Sequence, residues 1–331
     1  MAPIVLYPLA FLGAGILLQL LQSTYEYLTF HFLLPTHPLK AYHRPGTPGA
    51  HALITGASAG IGLGIATELI RHGFGIILHG HLADELTAAA AKLQNLHPSA
   101  SIHTRVLDAR TAVPSEMESL VASIANLNVS ILVNNVGGNP AAEPAIREFR
   151  TYSCADVDAV INQNARFMTR LTALMLPLLA ERRQGVIDGE EKSLILTLSS
   201  AGMYGLPWLQ LYGATKAFNW ALSLGLAREL EANDETRHVD ALCVVPGEVK
   251  SQGNSRGVPE SAPTAGEFGR MVVLKVDRAL KLGWREMRPD WRHDLQVALL
   301  TRLPEGARTQ GVREQARMKR DAWGEYWAKN Q

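Results

Sequence analysis

The sequence contains only two cysteines, Cys154 and Cys243, in 331 residues. This scarcity excludes a fold held together by disulfide bonds and suits a reducing compartment. Neither cysteine has a metal-ligating neighbour at the usual spacing, and the histidine pair His79 and His81 has no third ligand nearby. Because structural metal sites need three or four ligands at recognisable spacing, no metal site is predicted.

Net charge is also nearly absent from the chain. It has 32 lysines and arginines against 31 aspartates and glutamates, which leaves a formal net charge of +1. No run of basic residues of the kind that binds nucleic acid occurs, so a nucleic-acid partner is not expected. The hydrophobic content of 47% and the charged content of 19% are typical of a globular protein with some additional apolar sequence.

The first part of the chain lacks charged side chains from Ala2 to Tyr25. A helix of that length, about 36 Å, is long enough to cross a bilayer core of roughly 30 Å. Basic residues are absent before this run, which argues against a cleaved secretory signal, and the first ones, Lys40 and Arg44, follow it. We therefore predict a transmembrane anchor over residues 1–34, with the rest of the chain cytoplasmic.

Apolar residues continue from Leu28 to Leu34, so a buried or interfacial hydrophobic hairpin is the alternative to this anchor. Residues 35–48 contain four prolines and predict a linker. We expect one catalytic domain over residues 49–303, followed by a charged tail over residues 304–331.

A glycine-rich turn, G-A-S-A-G-I-G, begins at Gly56 between an apolar run, His51 to Ile54, and a helical pattern, Leu63 to Arg71. A strand, a turn and a helix N-terminus in this order form a cradle for a pyrophosphate, because backbone N–H groups and the helix dipole both favour an anion. The predicted cradle residues are Gly56, Ser58, Gly60, Ile61 and Gly62.

Strand and helix patterns alternate through the rest of the domain. Apolar runs predict strands at residues 74–81, 101–108, 130–134, 193–198 and 239–245, with helical patterns between them. The helical pattern over residues 155–183 is interrupted by Pro177. The alternation predicts a single domain of the α/β class, a Rossmann-type doubly wound parallel sheet with helices on both faces.

The end of the second strand predicts the type of cofactor. Gly80, His81 and Leu82 supply no acid that would bind ribose hydroxyls and repel a 2′-phosphate, so NADP(H) is favoured over NAD(H). No arginine or lysine stands there or at Ala59, so NAD(H) stays open. Asp108, at the tip of the third strand, is placed to meet the adenine edge, and an ordinary loop aspartate is the alternative.

Tyr212 and Lys216 lie four residues apart in a helical pattern, so both side chains share one face. An ammonium group beside a phenol favours the phenolate and lowers the pKa of the tyrosine toward the working pH. The pair can therefore exchange a proton with a carbonyl or an alcohol. About a dozen residues earlier, Ser199 and Ser200 follow a strand, and the sequence Asn-Asn-Val-Gly begins further upstream at Asn134.

The glycine turn, Asn-Asn-Val-Gly, the strand-end serine and the Tyr212–Lys216 pair, in this order, resemble the short-chain dehydrogenase/reductases. The resemblance covers roughly residues 48–250 and implies an oxidoreductase that transfers hydride with a nicotinamide cofactor, with Tyr212 as general acid. It implies that Lys216 holds the ribose hydroxyls, that a serine binds the substrate carbonyl and that Asn164 anchors the water of a proton relay. Besides the cradle, the implied cofactor contacts are His81, Asp108, Asn135, Gly137, Tyr212, Lys216, Pro246, Gly247 and Val249.

The sequence departs from the family pattern at two places. The usual spacing to Tyr212 selects Ser199 as the catalytic serine, whereas alignment of the strand and the serine pair selects Ser200, which we prefer. The threonine that often follows Pro-Gly in the family is replaced by Glu248-Val249-Lys250, which puts its contact with the cofactor carboxamide in doubt.

The last part of the chain carries less specific signals. Residues 248–270 are rich in Gly, Pro and Ser and predict a mobile substrate loop, with a connector without a role as the alternative. Residues 282–291 are expected to supply the last strand. A helix over residues 291–303 could line the pocket, touch a membrane or pack on a second subunit, and packing is expected. The tail over residues 308–329 predicts a solvated helix, with attraction to an anionic membrane as the alternative.

The apolar N-terminus, Asn-Asn-Val-Gly and Leu206-Pro207 resemble one branch of the family, the endoplasmic-reticulum 3-ketoacyl-CoA reductases and 17β-hydroxysteroid dehydrogenases. This branch implies a membrane-anchored enzyme of lipid metabolism that reduces a ketone of a lipophilic substrate, such as a 3-oxoacyl thioester or a steroid. The alternatives are a reductase of a specialised metabolite such as a polyketide and an NADP(H)-binding sensor without turnover. Members of the family also commonly form homodimers through their long helices, so a homodimer is a further expectation from the resemblance.

Overall fold

The computed structural model describes residues 2–44, 49–138, 146–181, 191–199 and 205–330. The strands in these ranges are β1 (His51–Thr55), β2 (Gly75–Gly80), β3 (Ile102–Val106), β4 (Val129–Asn134), β5 (Ser193–Leu198), β6 (Val239–Val244) and β7 (Glu286–Met287). They form one parallel sheet in the order β3-β2-β1-β4-β5-β6-β7. The predicted doubly wound sheet of a single α/β domain is therefore confirmed.

The helices of the described ranges alternate with these strands. They are α1 (Ala2–Leu28), α2 (Gly60–Arg71), α3 (Ala83–Leu96), α4 (Pro114–Ala122), α5 (Cys154–Ile161), α6 (Phe167–Ala180), α7 (Gln210–Ala232), α8 (Ala265–Lys281), α9 (Trp291–Leu300) and α10 (Glu305–Asn330). A π-helical turn, Thr29–Leu33, continues α1, and another, Asn162–Arg166, joins α5 to α6. Short 3₁₀ helices lie at Lys40–Tyr42 and Phe149–Thr151.

The central strands are apolar along their length because helices cover both faces of the sheet. All five residues of β1 are buried. Ala52 and Ile54 face the core beneath α2 and α8, whereas Leu53 faces the core beneath α4, α6 and α7. Each face of the sheet thus has its own hydrophobic core.

The strand order reverses at β1, because α2 leads from β1 to β2 on one side while β4 pairs with β1 on the other. The diverging connections leave a crevice outside the carboxyl ends of β1 and β4, where open parallel sheets bind their ligands. The glycine turn follows β1 and Asn-Asn-Val-Gly begins at the end of β4, so both predicted motifs lie at this crevice.

The predicted interruption at Pro177 is wrong. Pro177 lies inside α6, three residues before its end at Ala180. A proline there removes one intrahelical hydrogen bond, and the burial of Leu171, Met175 and Leu179 of the same helix against the sheet offsets the loss. The regular helix is interrupted instead at the π-helical turn that contains Asn164.

The C-terminal elements follow the predictions with shifted bounds. Residues 282–291 do supply the last strand, β7, which pairs with Cys243 and Val244 of β6. The loop predicted over residues 248–270 ends earlier, since α8 begins at Ala265 after an N-cap in which Thr264 Oγ1 accepts from the amide of Glu267 at 3.3 Å.

In the described part of the chain, no helix has the combination of length and apolar character needed to cross a membrane. The predicted transmembrane anchor is therefore not confirmed. Residues 2–28 do form a helix, α1, and large apolar side chains such as Phe11 and Leu18 are 84% and 67% exposed on it.

Candidate active site

The glycine turn after β1 is closed by a side chain from the end of β4. Asn135 Nδ2 donates to the carbonyl oxygens of Thr55 and Gly56, both at 2.9 Å. Gly56 has a φ of +63°, and a Cβ added at Gly62 would lie 2.3 Å from the Gly56 oxygen. Only glycine therefore fits these two positions, and a phosphate can approach the main chain closely.

The first turn of α2 provides the anion-binding groups of this cradle. The residue before the helix is Ala59, whose methyl side chain cannot cap it. The amides of Gly60, Ile61 and Gly62 therefore need another acceptor, and a pyrophosphate oxygen at a helix N-terminus is one. The cradle accordingly fits the dinucleotide that the sequence predicts.

An acid that the sequence reasoning missed borders the cradle. Ser58 Oγ donates to Glu85 Oε2 at 2.9 Å, and Glu85 is half-buried in the first turn of α3. The prediction looked for an acid only directly after β2, where His81 is exposed. Glu85 stands 27 residues after Ser58, so only the packing of α3 against β2 and β3 reveals the contact.

Asp108 lies two residues after the end of β3, at the same edge of the sheet as the glycine turn, and its contact with adenine stays a prediction. Its carboxylate accepts from Arg110 Nη2 at 2.6 Å, and this hydrogen bond lowers the pKa of Asp108. The carboxylate also accepts the backbone amide of Arg110 at 2.9 Å. Arg110 therefore holds Asp108 as a fixed negative group.

Lys216 is buried at the opposite end of the crevice. Its Nζ donates to the carbonyl oxygen of Leu198 at 3.2 Å and lies 5.7 Å from the centre of the Tyr212 ring. Burial lowers the pKa of Lys216 to about 8, because the interior disfavours the ammonium form. A Cβ added at Gly137 would lie 2.6 Å from this Nζ, so the glycine makes room for the lysine.

The π-helical turn between α5 and α6 carries Asn164, which is fully buried. Asn164 Nδ2 donates to the carbonyl oxygens of Gly138 and Val160, at 2.7 and 3.0 Å, and Oδ1 accepts from the Gly138 amide at 2.9 Å. Its own carbonyl oxygen accepts from Asn219 of α7 at 2.8 Å. Single π-helical turns often mark functional sites, and this one joins β4, α6 and α7.

Of the two candidate serines, the structure describes Ser199 and not Ser200. Ser199 is buried, and its Oγ donates to the carbonyl oxygen of Lys216 at 2.6 Å. That hydroxyl proton links β5 to α7 and is not directed at a substrate. Ser200 lies outside the described residues, so the choice of Ser200 stays a prediction.

Pro246, Gly247 and Val249 follow β6 at the same edge of the sheet. A Cβ added at Gly247 would lie 2.5 Å from Cγ of His293, so α9 packs directly on this turn. Glu248 accepts from Lys319 Nζ of α10 at 2.9 Å. His293 and Lys319 carry no local motif, and sequence reasoning missed both.

The predicted charged tail is only partly solvated. Val312 and Ala316 of α10 are buried, and the guanidinium of Arg320 lies 4.3 Å from the centre of the Trp208 ring, just before α7. Lys319 forms the ion pair with Glu248 already described. The tail therefore covers the two chain segments that lead to Tyr212 and follow Gly247.

The model of the short chain dehydrogenase family matches residues 50–260 of this chain. The chain belongs to this family. A very-long-chain 3-oxoacyl-CoA reductase of Aspergillus oryzae is 30% identical over 275 residues, which cover 82% of this chain and 74% of that protein. The family predicted from the motifs is confirmed, and these relatives represent the 3-ketoacyl-CoA reductase branch that was expected.

Solved structures of other family members share the fold. The short-chain dehydrogenase of Sphingobium yanoikuyae in complex with NADPH is 21% identical with a TM-score of 0.59, covering 77% of this chain and 96% of that one. The L-sorbose reductase of Gluconobacter frateurii, complexed with NADPH and L-sorbose, is 20% identical with a TM-score of 0.57, covering 70% and 90%. The chain is thus an NAD(P)-dependent oxidoreductase of the short-chain dehydrogenase family.

Proposed function

We propose that this short-chain dehydrogenase reduces a ketone of a lipophilic substrate, such as a long-chain 3-oxoacyl thioester, with NADPH. The observation that carries the proposal is the convergence of Tyr212, Lys216 and Asn164 beside Gly137 at the crevice. The substrate class is supported by relatives named very-long-chain 3-oxoacyl-CoA reductases, and NADPH by the complexes of structural neighbours.

The residues of the chain perform the proton chemistry. A bound nicotinamide dinucleotide supplies the hydride. Tyr212 gives its phenolic proton to the substrate oxygen, and the Lys216 ammonium stabilises the phenolate that remains. Ser200 donates a hydrogen bond to the same oxygen, and Asn164 holds the water through which the phenol regains a proton.

The substrate class is tested with the full-length protein in detergent, by following NADPH oxidation against ketones of graded chain length. We expect kcat/KM for 3-oxoacyl thioesters to rise with acyl length. A higher kcat/KM for a steroid ketone would identify a steroid, and not a thioester, as the substrate of the same reaction. Tight NADPH binding without turnover of any ketone would favour a sensor, and the absence of nucleotide binding would contradict the proposal.

We also propose that α1 attaches the protein to the endoplasmic-reticulum membrane with the catalytic domain in the cytoplasm. The apolar side chains exposed along α1, among them Phe11 and Leu18, support this. Retention in the membrane pellet after alkaline carbonate washing, with release by detergent, is the expected result. A protein that stays in the supernatant would contradict it. The homodimer of the sequence analysis stays a prediction, which light scattering tests.

A further inference from the structure

The end of α1 is fixed to the catalytic domain. His31 Nε2 lies 2.9 Å from Asp294 Oδ2 of α9, and Lys275 Nζ of α8 lies 3.0 Å from Nδ1 of the same ring. Arg278 Nη1 donates to the carbonyl oxygens of Phe30 and His31 at 2.9 and 3.0 Å. Because the buried His31 is held from α8 and α9 at once, α1 leaves the domain in a defined direction.

Beside this junction, α9 exposes one apolar face. Trp291, Leu295 and Leu299 recur every four residues and are 44%, 42% and 59% exposed. The other side of the helix carries the buried Val297 and the partly buried Asp294, which holds His31. An apolar stripe of this kind on a surface helix marks a site that another apolar phase or molecule covers.

This face is continuous with the base of α1. Phe32 and Leu33 are 55% and 67% exposed, and the rings of Phe32 and Trp291 lie 6.3 Å apart. Tyr27 Oη also donates to the carbonyl oxygen of Trp291 at 2.8 Å. We call this joint surface the apolar platform; it consists of Phe32, Leu33, Trp291, Leu295 and Leu299.

The surroundings of the platform favour a lipid bilayer as its occupant. Arg302, which is exposed, and Arg292, which is exposed and pairs with Asp290 at 3.3 Å, border the platform. Tryptophan and apolar residues on one face with arginines beside them are typical of helices that lie in the plane of a membrane. A bilayer would also cover the apolar side chains of α1, which continue from the same surface.

We infer that the apolar platform lies against a bilayer, with α9 in the plane of the membrane surface. The opposite side of α9 packs on the active-site turn through His293 and Gly247. The site therefore stands directly behind the lipid-facing helix, which gives a lipophilic substrate a short path from the bilayer. This inference rests on the proposed membrane attachment of α1 and extends it to a second helix.

The test places a fluorescent probe on the platform of the full-length protein. Cys154 is exposed and is changed to serine, whereas Cys243 is buried and stays. Leu295→Cys and Leu299→Cys are labelled in this background, with Leu17→Cys on α1 and Leu96→Cys at the end of α3 as references. Leu96 is 54% exposed and belongs to the helix beside β3, the sheet edge opposite β7. The proteins are reconstituted in phosphatidylcholine vesicles with and without dibrominated phosphatidylcholine.

We expect brominated lipid to reduce the fluorescence at positions 295 and 299 at least about two-fold, as at position 17, because an in-plane helix buries its apolar face at the acyl boundary. Position 96 should stay unchanged. Quenching at position 17 alone would overturn the inference and leave the attachment of α1 standing. Energy transfer between copies with no lipid quenching at positions 295 and 299 would instead make the platform a dimer contact.

A second experiment connects the platform to catalysis. Leu299→Asp places a charge on the platform without touching any residue that holds the site. We expect KM for a long-chain ketone in vesicles to rise about five-fold or more, because inserting a charge into the interface is unfavourable. KM for a short, water-soluble ketone should stay unchanged. Equal changes for both ketones would mean damage to the site and contradict delivery from the bilayer.

Discussion

The two sides of the active-site crevice are built in different ways. On the β1–β4 side, backbone groups of the glycine turn form the cradle. Asn135, just after β4, closes it through two hydrogen bonds to that turn. On the β6–β7 side, side chains of α9 and α10 close the site, with His293 on Gly247 and Lys319 on Glu248. At the first side backbone meets backbone, which can shift only if the turn opens, whereas the second side rests on contacts with the side chains of His293 and Lys319, which can adjust. Substitutions at the cradle should therefore have large effects on binding, and substitutions at the other side should have smaller ones.

The largest effect is expected at the cradle. In Gly62→Ala, the new Cβ meets the Gly56 oxygen at 2.3 Å, so the turn must open. We expect NADPH affinity to fall at least about 100-fold and the free energy of unfolding to fall by roughly 2–4 kcal/mol. The matched control is Gly225→Ala in α7, where a Cβ has no described atom within 4 Å. It should leave binding intact and raise stability by about 0.5–1 kcal/mol. Equal behaviour of the two variants would contradict a rigid cradle.

The next effect concerns the buried ammonium of Lys216. Burial lowers the folded-state pKa of Lys216 from 10.5 to about 8. The buried ammonium therefore destabilises the fold, and this contribution has its full size below pH 8. Lys216→Met should therefore raise the free energy of unfolding at pH 7 by roughly 1–3 kcal/mol while turnover is lost. The gain should shrink as the pH rises from 8 toward 10.5, where the unfolded chain also loses its proton. Urea unfolding at pH 7 and pH 10 checks this, and a gain independent of pH would contradict the buried charge.

A smaller effect is expected at the adenosine end. Glu85→Gln removes the negative charge that Ser58 contacts in the cradle. Both cofactors carry the pyrophosphate, but only NADPH carries the 2′-phosphate. The ratio of the NADH to the NADPH dissociation constant therefore measures the effect of the substitution on binding of the 2′-phosphate. We expect that ratio to rise about 3- to 10-fold, which corresponds to roughly 1 kcal/mol of repulsion removed. Asp84→Asn, an exposed acid in the same turn, is the control. An unchanged ratio would mean that the 2′-phosphate lies elsewhere.

The smallest effect is expected at α10. The Lys319–Glu248 pair is about one-fifth to one-quarter exposed, so its contribution is below about 1 kcal/mol. Lys319→Glu should raise KM for the ketone about 2- to 5-fold with kcat nearly constant, because the tail then covers the substrate side less well. Lys329→Glu, at the exposed end of α10, should change nothing. Adding Glu248→Lys should restore KM, and failure of this swap would exclude the ion pair as the cause.

The same contrast explains what could be predicted from the sequence. The cradle and the Tyr212–Lys216 pair are local patterns, since their chemistry needs fixed spacing within one turn or one helix. The Ser58–Glu85 contact spans 27 residues and the Glu248–Lys319 pair 71, so they arise only when helices pack. Local preference also failed at Pro177, where tertiary packing keeps α6 regular.

The candidate serines show a similar limit. Spacing and strand alignment select different residues, and neither reveals that Ser199 Oγ bonds to the backbone of Lys216. That bond depends on how α7 lies against β5, a tertiary relation that the sequence of either element does not contain. The tail likewise carries ordinary mixed charge, and only its packing on Glu248 and Trp208 separates it from a solvated helix.

The central claim is that Tyr212 protonates the substrate oxygen while Lys216 and the cradle hold the cofactor. The most direct test is Tyr212→Phe in the full-length protein, with NADPH binding and ketone reduction measured on the same sample and Tyr25→Phe as the control. We predict that kcat falls at least about 100-fold, because the proton donor is lost, while the dissociation constant of NADPH changes less than about two-fold. Turnover of the variant near that of the wild type would contradict the account.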